Sequence, residues 1–477
     1  MCIPAEHPRR LDTLYVNHLQ GSKKVGCTVY DSTFEVVGNN CDGREVLRWG
    51  VGCWWGLGRA GENCGRVIRR DLGGVVGDGS KVRWYGKGMG GLEEVEEEVG
   101  IVVPAYAWTH NIYHYARQWI GIWRVVKRLD KFGVGSRGKG KKLRVRVLFK
   151  QIGVWGWKWH RGFREMIVKM MELEVGRGMV MVDWLFEDDE KKLLCVDKAI
   201  VLGAEGSAEA FMFLNDSEVK RSPPGIPGEA IMFKEEVNNL LGLRSKVRYD
   251  EGSGIVKEIR CPGRVVGYLV RVAKDKGDNR TDVRKDIREF RAEDETWFRA
   301  LLERMTSKYN LKLKIVNWDE NEDNPRNMSF TEQVMLAQSL GGAVGIHGAN
   351  LVNTIFMPMA GALFEIMPYH YPKAYYYAGS NSGLRYSSHA ILQGKDHDCS
   401  KHVWCHLPYR DTEIQLGEAD KIAVEKQVEE MCEYLDKVAA NHPSGWMPVQ
   451  EKEDGTFEVK GFEFRESRVA VDHWKIV

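Results

Sequence analysis

The chain has 477 residues, a hydrophobic content of 43% and 16 tryptophans. This length predicts two or three domains rather than a single core, and the hydrophobic content argues against wholesale disorder. The formal net charge of +2 lacks the basic excess of nucleic-acid binders, so we expect no nucleic-acid partner.

Cysteines and glycosylation sequons bear on the cellular compartment. Ten cysteines spread over the whole chain do not make a small disulfide scaffold. Sequons at Asn215, Asn279 and Asn327 exceed the roughly one expected by chance, and they favour the secretory pathway, in the Golgi or ER lumen. Met1 opens no signal peptide, so either the true start lies upstream or the protein is cytoplasmic. We expect attachment to a membrane only through an anchor outside this sequence.

The first hundred residues are rich in glycine and predict a loop-rich region. Residues 56–61 spell G-x-G-x-x-G, but no convincing helix follows, and the dinucleotide-binding motif needs that context. A loop is therefore favoured over a dinucleotide site. The acidic run at 92–98 predicts a solvated helical face or an acidic loop.

Residues 109–129 predict an amphipathic helix. Apolar residues recur at helical spacing, and Thr109 can cap the N-terminus. His110 and His114 lie one turn apart and off the apolar stripe. Two exposed histidines are favoured over a metal pair, since no nearby carboxylate or cysteine completes a metal site.

The remainder of the first half predicts alternating strands and helices. Strands are predicted at 143–148, 179–184 and 194–201, and helices at 162–174 and 229–242. The acidic run at 187–190 is interpreted as a solvated turn rather than a metal site. We expect a domain boundary near 245, which gives an N-terminal domain of residues 1–245 and a C-terminal domain of residues 246–477.

The second half opens with a predicted buried strand at 265–272 that ends around Arg271. The following loop carries Lys274, Lys276 and Arg280. Two fixed cations after a buried strand could hold a pyrophosphate, with a solvated basic loop as the alternative. A helix at 296–309 and a strand at 311–318 are predicted next, and the acidic loop at 319–323 is a weak candidate for a metal.

Residues 330–372 are the most informative stretch. The segment 341–363 is nearly free of charge, which raises the question of a membrane span, but asparagines, a histidine, a proline and glycines interrupt it. A helix at 330–340, a strand at 343–346, a short helix at 349–356 and a strand at 362–367 fit better. Such a run predicts a parallel α/β unit. Ligands bind such sheets beyond the carboxyl ends of the strands, which are marked here by residues 347–350 and Glu365.

Three further features are predicted after this stretch. Residues 398–406 hold two cysteines and two histidines, for which a disulfide or a plain loop is favoured over zinc. Residues 417–440 predict an amphipathic helix. Residues 449–464 predict a hairpin that turns at Asp454-Gly455.

Three ordered motifs mark the central stretch. The chain reads SFTEQ at 329–333, HGANLVNTIFMP at 347–358 and GALFEIMP at 361–368. In this order they resemble the motifs S-F-x-E-Q, H-G-A-G-L-T-N-x-x-F-x-P and G-A-x-x-x-E-I-x-P of glycosyltransferase family 61, which contains GlcNAc-, xylosyl- and arabinosyltransferases. Weaker similarity extends to NIYH at 111–114 and to the predicted strand at 195–201.

The resemblance implies an α/β fold of the GT-B type, in which two Rossmann-like domains face each other across a cleft. It implies inverting transfer of GlcNAc or a pentose from a UDP-sugar to a hydroxyl of a glycoprotein or polysaccharide acceptor. The second domain would bind the nucleotide sugar. The residues that the resemblance implies in donor binding are Arg271, Arg280, Gly348, Ala349, Asn350, Asn353 and Glu365.

The resemblance also implies roles in catalysis. An inverting transfer needs a base for the acceptor proton, and His114 and His347 are the candidates. Asn111 and His110 are implied on the acceptor side. With the diphosphate held by arginines and by the start of the 349–356 helix, a metal is not required, although the acidic loops leave one open.

Two residues depart from the family motif. Asn350 replaces a small residue of the H-G-A-G turn, and Val352 replaces the usual threonine. Asparagine tolerates a left-handed backbone, so we expect the turn to survive, whereas loss of the threonine hydroxyl would remove a possible donor contact. The alternative hypothesis is a non-catalytic descendant of the fold that binds nucleotide sugars or glycans.

Overall fold

The computed structural model describes only part of the chain. The described residues are 26–29, 32–36, 45–49, 84–85, 97–103, 112–129, 134, 143–150, 158–185, 193–196, 198–201, 226–270, 289–318, 328–369, 382–394, 413–453 and 456–459. The contacts of the chain divide it into two units, Met1–Ala210 with Asn215–Ser217, and Phe211–Leu214 with Glu218–Val477. The domain boundary that the sequence predicts at 245 falls inside the second unit.

The first unit combines two sheets with two helices. Its strands are β1 (Gly26–Val29), β2 (Ser32–Val36), β3 (Glu45–Trp49), β4 (Trp84–Tyr85), β5 (Glu97–Val103), β6 (Leu143–Lys150), β7 (Val180–Leu185), β8 (Leu193–Val196) and β9 (Lys198–Val201). Its helices are α1 (Ile112–Lys127) and α2 (Lys158–Val175). One sheet has the order β1-β2-β3-β8-β4, and the other has the order β7-β6-β5-β9. Every pairing in the second sheet is parallel.

The described strands of this unit bear on three expectations. Short strands occupy parts of the first hundred residues, and β2 alternates polar and apolar residues from Thr33 to Val36 as strands do. β5 begins at Glu97, inside the run predicted to be a helix or loop, since Val99 and Ile101 alternate into a buried face. The strand predicted at 194–201 is two strands, β8 and β9, which pair in different sheets.

The helices of the first unit bury the apolar stripe that the sequence predicts. α2 packs on β6 and β7, and α1 packs on α2. Trp119 and Trp123 of α1 are 0% and 1% exposed, and Phe163 of α2 stacks on Trp159 with ring centroids 4.9 Å apart. These buried aromatic side chains belong to the core of the first unit.

The second unit contains the remaining described elements. Its strands are β10 (Ile226–Pro227), β11 (Val247–Tyr249), β12 (Val256–Arg260), β13 (Val265–Val270), β14 (Lys312–Asn317), β15 (Gly342–Ile346), β16 (Ala362–Met367), β17 (Arg385–Ala390), β18 (Trp446–Glu451) and β19 (Thr456–Val459). Its helices are α3 (Gly228–Leu240), α4 (Ala292–Lys308), α5 (Phe330–Ser339), a 3₁₀ helix (Ala349–Phe356) and α6 (Glu418–Asn441).

An antiparallel sheet joins the two ends of this unit. Its order is β10-β19-β18-β12-β11, so that Ile226 lies opposite Phe457 and Ile259 lies opposite Met447. These side chains belong to the hydrophobic core of the unit. The hairpin of β18 and β19 confirms the predicted one.

A five-stranded parallel sheet forms the centre of the second unit. Its order is β14-β13-β15-β16-β17, and every pairing is parallel. Numbered along the chain, this is the order 2-1-3-4-5 of doubly wound α/β sheets, in which the direction of winding reverses between the first and third strands. The reversal lies here between β13 and β15.

Helices cover both faces of this sheet. On one face, Val344, Ile346 and Phe364 share a core with α4 and α6. On the other face, Gly345 lies against Leu351 of the 3₁₀ helix, and α5 packs on that helix. At the edge where the strands begin, backbones approach closely, since a Cβ on Gly341 would lie 1.7 Å from the Gly263 carbonyl oxygen. The described residues therefore show a mixed α/β fold with parallel sheets.

The central stretch follows its predicted elements closely. The predicted helix, strand, short helix and strand correspond to α5, β15, the 3₁₀ helix and β16. The turn before β16 needs a left-handed residue, and Ala360 supplies it with φ 58°. Among the described residues, no helix combines the length and the apolar character required to cross a membrane.

Candidate functional site

The parallel sheet of the second unit defines where a ligand site is expected. In an open sheet of this order, ligands bind beyond the carboxyl ends of the strands at the point where the winding reverses. The strands at that point are β13 and β15. His347 and Gly348 directly follow β15, and the predicted cation Arg271 directly follows β13 in the sequence. Arg271 and Arg280 lie outside the described residues.

Three side chains meet next to the carboxyl end of β15. Glu365 lies inside β16 rather than at the strand end that the sequence predicts, and Tyr386 lies near the start of β17. His347 Nδ1 lies 2.6 Å from Glu365 Oε1, and the Tyr386 hydroxyl donates to Glu365 Oε2. His347 is 4% exposed and Glu365 is 0% exposed. β16 lies between β15 and β17, which explains how residues far apart in sequence form this His-Glu-Tyr cluster.

The His-Glu-Tyr cluster has the geometry of an oriented base. An ionised carboxylate can only accept hydrogen bonds, so with Glu365 in that form Nδ1 carries the hydrogen of the bond to His347. Nε2 is then the basic nitrogen of the ring. A buried carboxylate in this position fixes the ring and stabilises the imidazolium that forms when Nε2 accepts a proton. Tyr386 donates to the second oxygen of Glu365. A buried carboxylate oxygen without such a partner would cost free energy.

The start of the 3₁₀ helix adjoins the cluster in sequence. Gly348 is its N-terminal flanking residue, with the extended backbone angles φ −178° and ψ 159°. Ala349 and Asn350 form the first positions of the helix, so Asn350 has right-handed helical backbone and needs no left-handed tolerance. The first N–H groups of a helix have no partner within it and favour anions. The geometry thus offers backbone donors beside His347.

Two other motif residues point into the protein interior. Asn353 is 0% exposed, and its side-chain amide donates to Gln333 Oε1 at 3.2 Å. This bond ties the 3₁₀ helix to α5, whose N-terminus has a capping box formed by Ser329 and Glu332. The Ser329 hydrogen bonds lower the pKa of Glu332. Val352 is also 0% exposed, so the residue that replaces the usual threonine packs in the core.

Tyr386 is the member of the cluster that sequence reasoning missed. It lies on β17, whose sequence RYSSHA is too polar to suggest a strand of a parallel sheet. Tyr386 and His389 are the buried residues of this strand, but their spacing of three does not match the period of a strand, so the local sequence gives no signal for it.

The first unit contains the predicted acceptor-side residues. The backbone of His114 lies in the first turn of α1, whereas His110 and Asn111 lie outside the described residues, as does the cysteine-histidine cluster at 398–406. Within the described parts of the chain, no group of three or more histidine, cysteine, aspartate or glutamate side chains is arranged to hold a metal. The acidic runs at 187–190 and 319–323 fall outside those parts.

A scan against the families of known proteins and a search of curated proteins find no significant match to this chain. The described residues define a mixed α/β protein with parallel sheets and a buried histidine-carboxylate pair next to the end of β15.

Proposed function

We propose that the chain is an inverting glycosyltransferase that transfers a sugar from a UDP-sugar to a hydroxyl of a glycoprotein or polysaccharide. The observation that carries the proposal is the His-Glu-Tyr cluster, located beside a helix N-terminus and near the reversal point of a doubly wound sheet. The motifs at 329–333, 347–358 and 361–368, which resemble those of glycosyltransferase family 61, supply the substrate class. A GT-B arrangement of the two units is part of the proposal.

In this proposal the leaving group is UDP. Arg271 and Arg280 supply positive charge to the diphosphate, and the backbone N–H groups at Ala349 and Asn350 supply aligned donors. Gly348, which lacks a side chain, allows the backbone to approach the ligand closely. With these groups in place, the diphosphate charge can be balanced by protein atoms.

His347 is the proposed base. The acceptor oxygen attacks the anomeric carbon from the face opposite UDP, the bond from that carbon to the diphosphate oxygen breaks, and UDP leaves with the electron pair. The acceptor proton passes to His347 Nε2. Glu365 stabilises the imidazolium through Nδ1–H, and Tyr386 holds Glu365. His114 of the first unit is the alternative base, with Asn111 and His110 beside it on the acceptor side.

The test begins with binding. Wild-type protein is screened by thermal shift against UDP, UDP-GlcNAc, UDP-xylose and UDP-arabinose, and release of free UDP is then measured with each stabilising compound. We expect one UDP-sugar to stabilise the protein, and Arg271→Ala to remove the shift. Arg248→Ala is the matched control, since Arg248 is an exposed arginine of the antiparallel sheet and its loss should leave the shift unchanged.

The test of catalysis separates binding from turnover. Removal of a general base lowers kcat by about 10²–10⁴-fold, so His347→Gln should lower UDP release to that extent while UDP still binds. The same loss in His114→Gln, with His347→Gln unaffected, would transfer the role of base to His114. Stabilisation by a UDP-sugar without any UDP release would favour the binding-only descendant. No response to any UDP compound would refute the proposed function.

A further inference from the structure

Lys234 of α3 is a lysine buried away from water. Its side chain is 4% exposed, and Nζ donates to the carbonyl oxygen of Met357 at 2.6 Å. Met357 is the residue that ends the 3₁₀ helix. Among the described residues no carboxylate forms an ion pair with Lys234, although an ammonium group has three hydrogens to donate.

Aromatic side chains pack where α3 meets the 3₁₀ helix. Its neighbour Phe233 stacks on Phe356 of the 3₁₀ helix with ring centroids 6.3 Å apart, and Phe330 of α5 lies edge-on to the same ring at 5.8 Å. The sequence of the 3₁₀ helix, ANLVNTIF, contains no titratable side chain.

Glu235 and Glu332, on the neighbouring elements, have other partners. On α3, Glu235 accepts from Ser245 Oγ and from the Lys246 backbone N–H. On α5, Glu332 is exposed and accepts from the Ser329 backbone N–H at 2.6 Å. In the parallel sheet, His347 and Tyr386 both bond to Glu365. Burial alone lowers the pKa of Lys234 to about 7.

Stability does not explain this lysine. An ammonium buried without a counter-ion costs free energy, and a methionine of similar length would pack there without that cost. Ionisable groups perturbed by burial are concentrated at functional sites. The bond from Lys234 is therefore best explained by what it holds, which is the end of the helix whose first residues adjoin His347.

We infer that Lys234 is a positioning residue for the nucleotide diphosphate: its ammonium anchors the Met357 carbonyl and so fixes the 3₁₀ helix that presents Ala349 and Asn350 to the ligand. This inference rests on the proposed function. Because a charged donor bonds roughly twice as strongly as a neutral one, the anchor weakens as the amine loses its proton. Rising pH therefore loosens the helix and weakens diphosphate binding.

The first experiment measures the helix itself. Amide hydrogen exchange of residues 351–357 is followed by mass spectrometry between pH 6 and pH 9, corrected for the intrinsic pH dependence of exchange. We expect Lys234→Met to speed exchange in this segment by about tenfold at pH 6, the effect of losing one charged hydrogen bond. Segments of α6 should not change. The wild-type rate should rise through pH 7, and the variant rate should not.

The second experiment measures UDP affinity by calorimetry over the same pH range. The wild-type Kd for UDP should rise by roughly fivefold to tenfold between pH 6 and pH 9. The Kd of Lys234→Met should be high at both pH values and should not change between them. Lys257→Met is the control, since Lys257 is an exposed lysine of the same unit. It removes one positive charge without touching the 3₁₀ helix, so its Kd should follow that of the wild type.

The outcomes separate this inference from the proposed function. If UDP binds the wild type and Lys234→Met equally well at every pH, the inference is overturned and the proposed function stands. If exchange at 351–357 is the same in both proteins, the anchor does not exist and the inference is overturned whether or not UDP binds. If exchange responds but UDP never binds the wild type, the diphosphate assignment is overturned together with the proposed function.

Discussion

Replacing Lys234 by methionine should stabilise the protein in a pH-dependent way. The folded-state pKa of Lys234 is about 7, against 10.5 for an exposed lysine. Between these values the unfolded chain binds more protons than the folded chain, so the free energy of unfolding of the wild type rises with pH. At 1.36 kcal/mol per pKa unit, the rise due to this group is about 4 kcal/mol between pH 6 and pH 10.

The variant lacks this rise, and it also loses a hydrogen bond worth roughly 1–2 kcal/mol. Lys234→Met should therefore be more stable than the wild type by about 3 kcal/mol at pH 6, and the difference should close by pH 10. Urea unfolding at several pH values measures both free energies, and subtraction removes the titration of the other groups. Lys257→Met supplies the control curve. A constant difference between Lys234→Met and the wild type across this range would refute the reasoning.

Two further substitutions test the packing that supports the site, each by urea unfolding at pH 7. Gly341→Ala should cost about 3 kcal/mol, because its Cβ would lie 1.7 Å from the Gly263 carbonyl oxygen. Gly252→Ala is the control, since the nearest atom to its Cβ would be 3.6 Å away, and it should change stability by less than about 0.5 kcal/mol. Equal costs of the two substitutions would contradict the close approach at Gly341. Asp420→Ala should cost about 3 kcal/mol, because Asp420 accepts hydrogen bonds from two backbone N–H groups and a buried histidine. Glu418→Ala is the control. It removes an exposed carboxylate from the same turn of α6 and should cost about 0.5 kcal/mol.

The Asp420 effect should also depend on pH. Burial raises the pKa of Asp420, but the hydrogen bonds that it accepts outweigh burial and bring the pKa below 3.8. A carboxyl group with a lowered pKa stabilises the fold above its unfolded-state pKa and loses that effect as the pH falls. The gap between wild type and Asp420→Ala should therefore be full at pH 7 and shrink below about pH 4. A gap that widens in acid would contradict this assignment.

The sequence predicts elements well where local pattern and tertiary packing agree. In residues 330–367, charge-free strands bounded by glycines and a capped helix leave few alternatives, and the structure has each element within a residue or two. The stripe of α6 is equally clear, since Val424, Val428 and Val438 are all 0% exposed. In both segments the same residues have a high intrinsic propensity for the element, recur at its period and are buried in the fold.

The sequence fails where pairing is decided over long distances. β8 and β9 read as one apolar strand, yet they pair in separate sheets, a choice made by partners more than 90 residues away. The His-Glu-Tyr cluster shows the same limit, because His347 follows one recognisable strand and Glu365 lies inside another, whereas Tyr386 reaches them from a polar strand. Lys234 is equally hidden, since nothing in the local sequence GEAIMFKEEV marks a lysine as buried.

The antiparallel sheet of the second unit has a consequence for synthesis of the protein. Because Ile226 pairs with Phe457, this sheet cannot close until nearly the whole unit has left the ribosome, which takes roughly 10–50 s at 5–20 residues per second. During that interval Ile226 and Ile259, both 0% exposed in the finished fold, lack the strands that cover them. Nascent chains that end before Phe457 are therefore expected to be substrates for chaperones.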